Sequence, residues 1–315
     1  MIQSIRWDGK QITEPGVYSR LPLDDYHRGD ICDGPSVSST VLRKLWDESP
    51  AHAWAYSPLN PKRVEEATGS GSNREWATVG RAAHHLLTAE IGFADQFVVR
   101  PEMLDGLAWS GNRTDCKRWL AAQKRAGLTV LTKANVETVR GMANSIGAFP
   151  LVQQGALNGY IERSFFWKDK ETGLWVKARP DAIPSDSGDF TDLKTTMSVR
   201  YLDLQRSIAE FGYNQQAALT IEGARALGIE ASSFTLIWVE KKAPYCVRAT
   251  QLKDDDIVRG IKQNRLALRT FADCLARGVW PGPGDDRDDA EYADLPEWRR
   301  NQIDERLKHE LREAV

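Results

Sequence analysis

The chain has 315 residues, of which 41% are hydrophobic and 27% charged, with a formal net charge of −2; a chain of this make-up folds around a sizeable core. The near-neutral sum excludes a simple basic protein that coats nucleic acid by bulk attraction, though not one that gathers its cations on a single track. No apolar run nears the roughly 18 residues of a membrane helix, and the N-terminus MIQSIRWDGK lacks a signal-peptide core, so a cytoplasmic protein without a membrane partner is expected.

In chain order, residues 17–23 read as a short strand, and Ser36 or Ser38 caps a helix through Val41, Leu42 and Leu45 to Trp46. Residues 57–75 mix Pro, Gly, Ser and charge without periodicity and read as a surface loop. Helices are expected over 76–90 and 112–126, followed by one that Thr132 opens, with Val136, Val139, Ala143 and Ile146 on one face. The second of these carries Arg113, Lys117, Arg118 and Lys124, which would either line a DNA track or form a solvated charged face. The pattern then changes to strands at 159–167, 174–178 and 189–195, the first two joined by the turn KDKETG. Helical periodicity returns over 198–227, broken near Gly212; strands follow at 234–240 and 245–251, then a helix over 254–277. The acidic stretch DDRDDAEYAD precedes a last amphipathic helix with Ile303, Leu307 and Leu311.

This order predicts an α/β (α+β) fold with one central mixed β-sheet flanked by helices and helical additions at both ends. The chain reads as one domain: an N-terminal extension and loop over 1–75, a core over 76–280, and an acidic linker with a C-terminal helix over 281–315. Cys32, Cys116, Cys246 and Cys274 are too scattered for zinc or iron–sulfur spacing and are expected as reduced thiols.

Chemistry concentrates in KARPDAIPSDSGDFTDLKTT, residues 177–196. Asp192 and Lys194 are two apart in a strand and project from one face, while Leu193 points to the other. Asp181 follows Pro180 where the chain bends, and a short return loop could bring it beside Asp192. Two convergent carboxylates repel unless a cation sits between them, and hard divalent ions prefer oxygen ligands. A lysine alongside offers charge to a pentavalent phosphate and helps to position a water. Acid, acid and lysine on adjoining strand ends make a minimal phosphodiester-cleaving site. The competing reading is an exposed Asp-x-Lys ion pair of small energetic value. Dinucleotide and P-loop readings fail for want of GxGxxG or GxxxxGK[ST].

This stretch resembles the catalytic motif of PD-(D/E)xK nucleases, and within that superfamily the RecE-type phage exonucleases (the nuclease domain of exonuclease VIII). Further elements follow in the family's order over about residues 15–240. They are Tyr26-His27, the serine run from Ser36 to Val41, Ser49-Pro50-Ala51-His52, and Gly80 to His84 like the GxxxH helix. Glu162 in the first strand and Tyr213 to Ala218, like the YxxQAA helix, complete the set.

The resemblance implies a restriction-endonuclease-like core and a metal-proximal His84, which would otherwise read as a packed or solvated histidine. Gly80, one turn earlier on the same face, would let the helix approach a strand, whereas His85 projects about 100° away and reads as structural. Glu162 is implied as a metal ligand beside Asp181 and Asp192, its alternative being a solvated carboxylate at a strand edge. Gln216 is implied near the scissile phosphate or the attacking water, and Tyr213 is a DNA-contact or core candidate. Thr220 stands where the family often has tyrosine, so no role is expected of it. The family further implies two Mg²⁺ ions per site, with Mn²⁺ able to substitute. It implies 5′ to 3′ digestion of linear double-stranded DNA from its ends, leaving 3′ tails. It also implies a ring-shaped homo-oligomer (trimer or tetramer) working with a phage single-strand annealing protein. A site- or structure-specific endonuclease on the same core, and a catalytically silent DNA-binding module, are the competing expectations.

Overall fold

The computed structural model describes residues 2–64, 72–88, 92–184, 188–285 and 288–313, which fall into two compact units, Met1–Trp280 and Pro281–Val315. In the first unit ten strands build two sheets. In chain order they are β1 (Ile5–Arg6), β2 (Gly16–Ser19), β3 (Ser36–Ser38), β4 (Tyr160–Ile161), β5 (Ser164–Lys168), β6 (Trp175–Ala178), β7 (Ala182–Ile183), β8 (Asp189–Thr196), β9 (Ser233–Glu240) and β10 (Val247–Gln251). One five-stranded sheet has the order β1-β2-β5-β6-β3 and the other β10-β9-β8-β7-β4.

The second sheet carries the chemistry. β8 pairs in parallel with β9 over eight residues, from Asp189↔Ser233 to Thr196↔Glu240. β9 reads SFTLIWVE, a nearly continuous apolar run, as befits a strand covered on both faces. On one face Phe190, Phe234, Leu236 and Trp238 pack with α7 (Tyr213–Ala226) and α8 (Asp254–Arg277). On the other, Leu193, Ile237 and Val239 pack with Val79, Ala82 and Ala83 of α3 (Ser72–Thr88) and with Val139, Met142 and Ile146 of α5 (Lys133–Gly147). The result is a helix–sheet–helix sandwich, the expected class.

The single sheet expected from the sequence is divided. The run 159–167 is not one strand: the chain breaks at Glu162, whose φ is +46°, so that β4 joins β7 while β5 turns into the other sheet. There the hairpin β5–β6 is sandwiched between β2 and β3, which the chain supplies more than a hundred residues earlier. Ser36 accordingly sits in a strand, and Ser38 takes the cap position of α1 (Ser39–Asp47), though without a side-chain capping bond. Ser49 does cap α2 (Pro50–Tyr56), accepting the His52 amide at 3.2 Å. The expected loop over 57–75 is shorter, because α3 begins at Ser72; residues 65–71, including most of GSGS, and Glu90 lie outside the described residues.

β8 and β9 are joined through α6 (Tyr201–Glu210) and α7, with Gly212 between the helices at φ +58°. A Cβ there would come to 2.8 Å from Arg43 Cδ, so glycine is required for space as well as for conformation. The second unit contains α9 (Glu297–Glu313), with Ile303 half-buried and Trp298 and Leu307 exposed. Among the described residues no helix is long and apolar enough to cross a membrane.

Candidate active site

After β6 the sequence Arg179-Pro180-Asp181 ends one sheet and starts the other, since proline cannot continue a ladder. The Asp181 carboxylate accepts the Leu193 amide at 2.7 Å, which fastens this bend onto β8 and sets Asp181 beside Asp192. Asp192 is 1% exposed. Its Oδ1 accepts from Gln216 Nε2 at 3.2 Å, Gln216 Oε1 accepts from Lys194 Nζ at 3.2 Å, and the Lys194 ammonium lies against Asp192 Oδ2. Strand alternation thus puts Asp192 and Lys194 on one face, and the crossover helix α7 closes them into a three-membered circuit. The Lys194 ammonium also stands 4.6 Å above the centre of the Tyr213 ring. Gln215, the neighbouring glutamine, is instead spent on Asn264 of α8 at 3.2 Å. Thr220 Oγ1 donates to the Gln216 carbonyl at 3.0 Å, an intrahelical bond.

His84 comes from α3, on the far side of the carboxylates from α7, with Nε2 2.8 Å from Asp181 Oδ1. Gly80 lets this happen: a Cβ at that position would meet Thr195 Oγ1 at 2.9 Å. His85 faces elsewhere, edge-on to Phe97 with ring centres 5.4 Å apart.

The electrostatics of the four groups are set by crowding. Burial and the neighbouring Asp181 push the Asp192 carboxyl above its ordinary range. Burial would raise Asp181 too, but His84, Lys194 and the Leu193 amide outweigh it and hold that carboxyl low. Burial would likewise lower His84, yet the Asp181 carboxylate carries it up to about 9. Lys194 is raised against its own burial, chiefly by Asp192. Two adjacent acids have been driven apart, as a shared site requires.

These residues fit a hard divalent ion. Asp192 is buried with Oδ2 against the Lys194 ammonium, and the two carboxylates offer the oxygen ligands that such a cation prefers. Among the described residues no three His, Cys, Asp or Glu side chains already converge as a complete ligand set, because His84 and Lys194 reach the carboxylates directly. Glu162 lies in the wall of the same cleft, but its carboxylate takes the Arg179 guanidinium at 2.8 Å.

The cleft over these groups has a volume of about 620 Å³. Arg113, Lys117, Arg118 and Lys124 do not line it. Arg113 precedes α4 (Thr114–Arg125) and is committed to Asp115 and to the carbonyls of Ala108 and Leu104, at 2.8 and 3.2 Å. Lys117, Arg118 and Lys124 are exposed on that helix, whose buried residue is Cys116. The cations that do line the cleft are Arg43, Arg81, Arg179, Lys194 and Lys241. Sequence reasoning missed Arg43 and Lys241, since each is a basic residue with no spacing that ties it to the acids.

The family model described as a PDDEXK-like domain of unknown function (DUF3799) matches residues 38–293. No curated protein sequence matches the chain. Among solved structures, a protein of Eubacterium rectale described provisionally as an exonuclease superposes with a TM-score of 0.54 at 11% identity, over 88% of this chain and 97% of that one. At that identity the likeness speaks to the fold alone. A phage-related exonuclease of Haemophilus somnus gives a TM-score of 0.33 at 11% identity, over 77% and 96% of the two chains. An alkaline exonuclease of Laribacter hongkongensis gives 0.26 at 11% identity, over 54% and 87%.

Proposed function

The chain belongs to the PDDEXK-like family matched over residues 38–293, and from that premise we propose that it is a magnesium-dependent exonuclease that digests linear double-stranded DNA 5′ to 3′. The observation that carries the reading is the closed circuit of Asp192, Gln216 and Lys194 standing beside Asp181 and His84.

Asp181, Asp192 and His84 would hold the ion, with Mn²⁺ able to replace Mg²⁺. Bound there, it would polarise the phosphate and make a water acidic enough to attack at neutral pH. Lys194 places its ammonium where charge builds on the phosphate oxygens in the transition state. Gln216 bridges acid and lysine and would hold both against rotation. A second ion would need Glu162 to exchange its bond to Arg179 for the metal.

Direction, ring assembly into a trimer or tetramer, and work with a phage single-strand annealing protein rest on the family-ordered motifs in the sequence. The net charge of −2 agrees with a ring. Nonspecific affinity scales with the phosphates neutralised, so a near-neutral protein that encloses its strand stays on it with fewer contacts.

The test uses magnesium and linear duplex labelled at the 5′ or the 3′ end, beside a covalently closed circle. Early short products from the 5′ label alone, with the circle intact, are expected. Light scattering should give three or four times the 35.4 kDa chain mass. Opening of the circle by a monomer would replace this reading with an endonuclease on the same core.

A further inference from the structure

Cations that are half-buried in a protein ordinarily have a carboxylate beside them, because removing charge from water is costly when nothing compensates. Two of those lining this cleft obey: Arg179 has Glu162 and Lys194 has Asp192. Arg43 and Lys241 do not. The Arg43 stem passes over Gly212, and its guanidinium is held by the Phe211 carbonyl, the Ser39 carbonyl at 3.3 Å and Thr40 Oγ1 at 3.4 Å. These neutral acceptors fix the plane of the fork without cancelling its charge. Lys241 leaves the end of β9, its amide donating to the Thr196 carbonyl at 2.9 Å. Among the described residues neither side chain has a carboxylate within ion-pair distance, and both line the cleft that Asp181 and Lys194 also line. Burial holds both below their ordinary pKa ranges. Arg81, also on the lining, is exposed and needs no partner.

We propose that Arg43 and Lys241 are substrate-binding residues that hold separate backbone phosphates of the DNA strand lying in the cleft. The proposal rests on the nuclease reading above. The carboxylates of Asp181, Asp192 and Glu162 are already paired with His84, Lys194 and Arg179, so two cations without a carboxylate, reaching in from different elements, are left to meet the phosphates of a strand lying there. Arg43, whose charge also acts on Asp192 and Tyr213, would contact a phosphate close to the scissile one.

The test measures binding of a short duplex in calcium, across a salt series, and steady-state cleavage in magnesium. Arg43→Gln and Lys241→Gln should each weaken binding about tenfold and reduce the slope of log affinity against log salt by about 0.7–0.9, the loss of one phosphate contact. KM should rise while kcat at saturating DNA changes less than KM does. Arg43→Lys keeps the charge but not the fork, so it should keep the wild-type slope with weakened affinity. Wild-type slope and KM in both glutamine variants would overturn the assignment, as would a slope in Arg43→Lys equal to that of Arg43→Gln. Failure of the wild-type protein to cleave any DNA would instead sink the nuclease reading.

Discussion

The carboxylate of Asp181 accepts the backbone N–H of Leu193 at 2.7 Å, so a residue in a bend is registered against the strand that carries Asp192. Asp181 therefore has a structural task that Asp192 lacks. Asp181→Ala and Asp192→Ala should both lower cleavage by at least about 10²–10³, since each removes charge stabilisation from the reacting phosphate. In chelator wild-type cleavage should also vanish, and unfolding by urea should read what each carboxylate does for the fold. Asp181→Ala strands a buried amide and should cost about 1–3 kcal/mol, and Asp192→Ala leaves the Lys194 ammonium without its carboxylate and should also destabilise. Near-normal rates in either variant would end the assignment of the site.

In the proposed reaction Lys194 would act on charge that appears only in the transition state. Lys194→Ala should thus lose turnover, by roughly 10²–10³ in kcat, while retaining most DNA affinity. Gln216→Ala, which removes the bridge but no charge, should lose roughly 10–100-fold, as supporting residues of metal sites do. Single-turnover kinetics with pre-bound DNA reads both. A lysine variant that fails to bind DNA yet cleaves normally at high concentration would make Lys194 an anchor only.

Gly80→Ala tests the approach of α3. Its new Cβ would lie 2.9 Å from Thr195 Oγ1, and overpacking of this kind costs about 1–3 kcal/mol. Because His84 sits one turn further along, activity should fall together with stability. Adding Thr195→Ala removes the clashing hydroxyl and should restore much of both. His84→Ala by itself should raise the magnesium concentration needed for half-maximal rate by roughly 10–100-fold. Unchanged magnesium dependence would leave His84 as packing.

Lys177 offers a test of pH dependence away from Asp181 and Asp192. Its ammonium is buried in β6, donating to the Tyr26 carbonyl at 2.7 Å and the Arg28 carbonyl at 3.3 Å, and burial pulls its pKa down to about 8. From pH 8 upward the folded chain has released a proton that the unfolded chain keeps until about 10.4, so this group adds stability as pH rises through that window. Lys177→Met abolishes the contribution. The difference in unfolding free energy between wild type and Lys177→Met should grow in favour of wild type from pH 8 to 10. A constant difference would mean that the lysine does not titrate there.

How much of this was readable in advance follows from what a sequence pattern reports. Alternation tells which residues share a face, so Asp192 and Lys194 on one side and Leu193 on the packed other side are legible. A Pro-Asp before a short return located Asp181, and a helix glycine foretold close approach of α3 to a strand. Alternation says nothing about which distant strand pairs with which. The division into two sheets depends on β2 and β3 meeting β5 and β6 across more than a hundred residues, and on a left-handed break at Glu162 within a run that looks continuous. Pairing also decides what a charge does. Glu162 reads as an available carboxylate and Arg113 as an available cation, but in the fold the first holds Arg179 and the second holds Asp115.

The order of elements has a consequence for how the protein is made. α3, bearing His84, leaves the ribosome first and meets Val139, Met142 and Ile146 of α5 soon after, yet the sheet side of its seat, Leu193, Ile237 and Val239, comes last. That surface is incomplete until β9 has emerged and paired with β8, long after the histidine is synthesised. A growing chain therefore carries His84 without its sheet-side seat, and His84, Asp181, Asp192 and Lys194 come together only when the parallel pair closes.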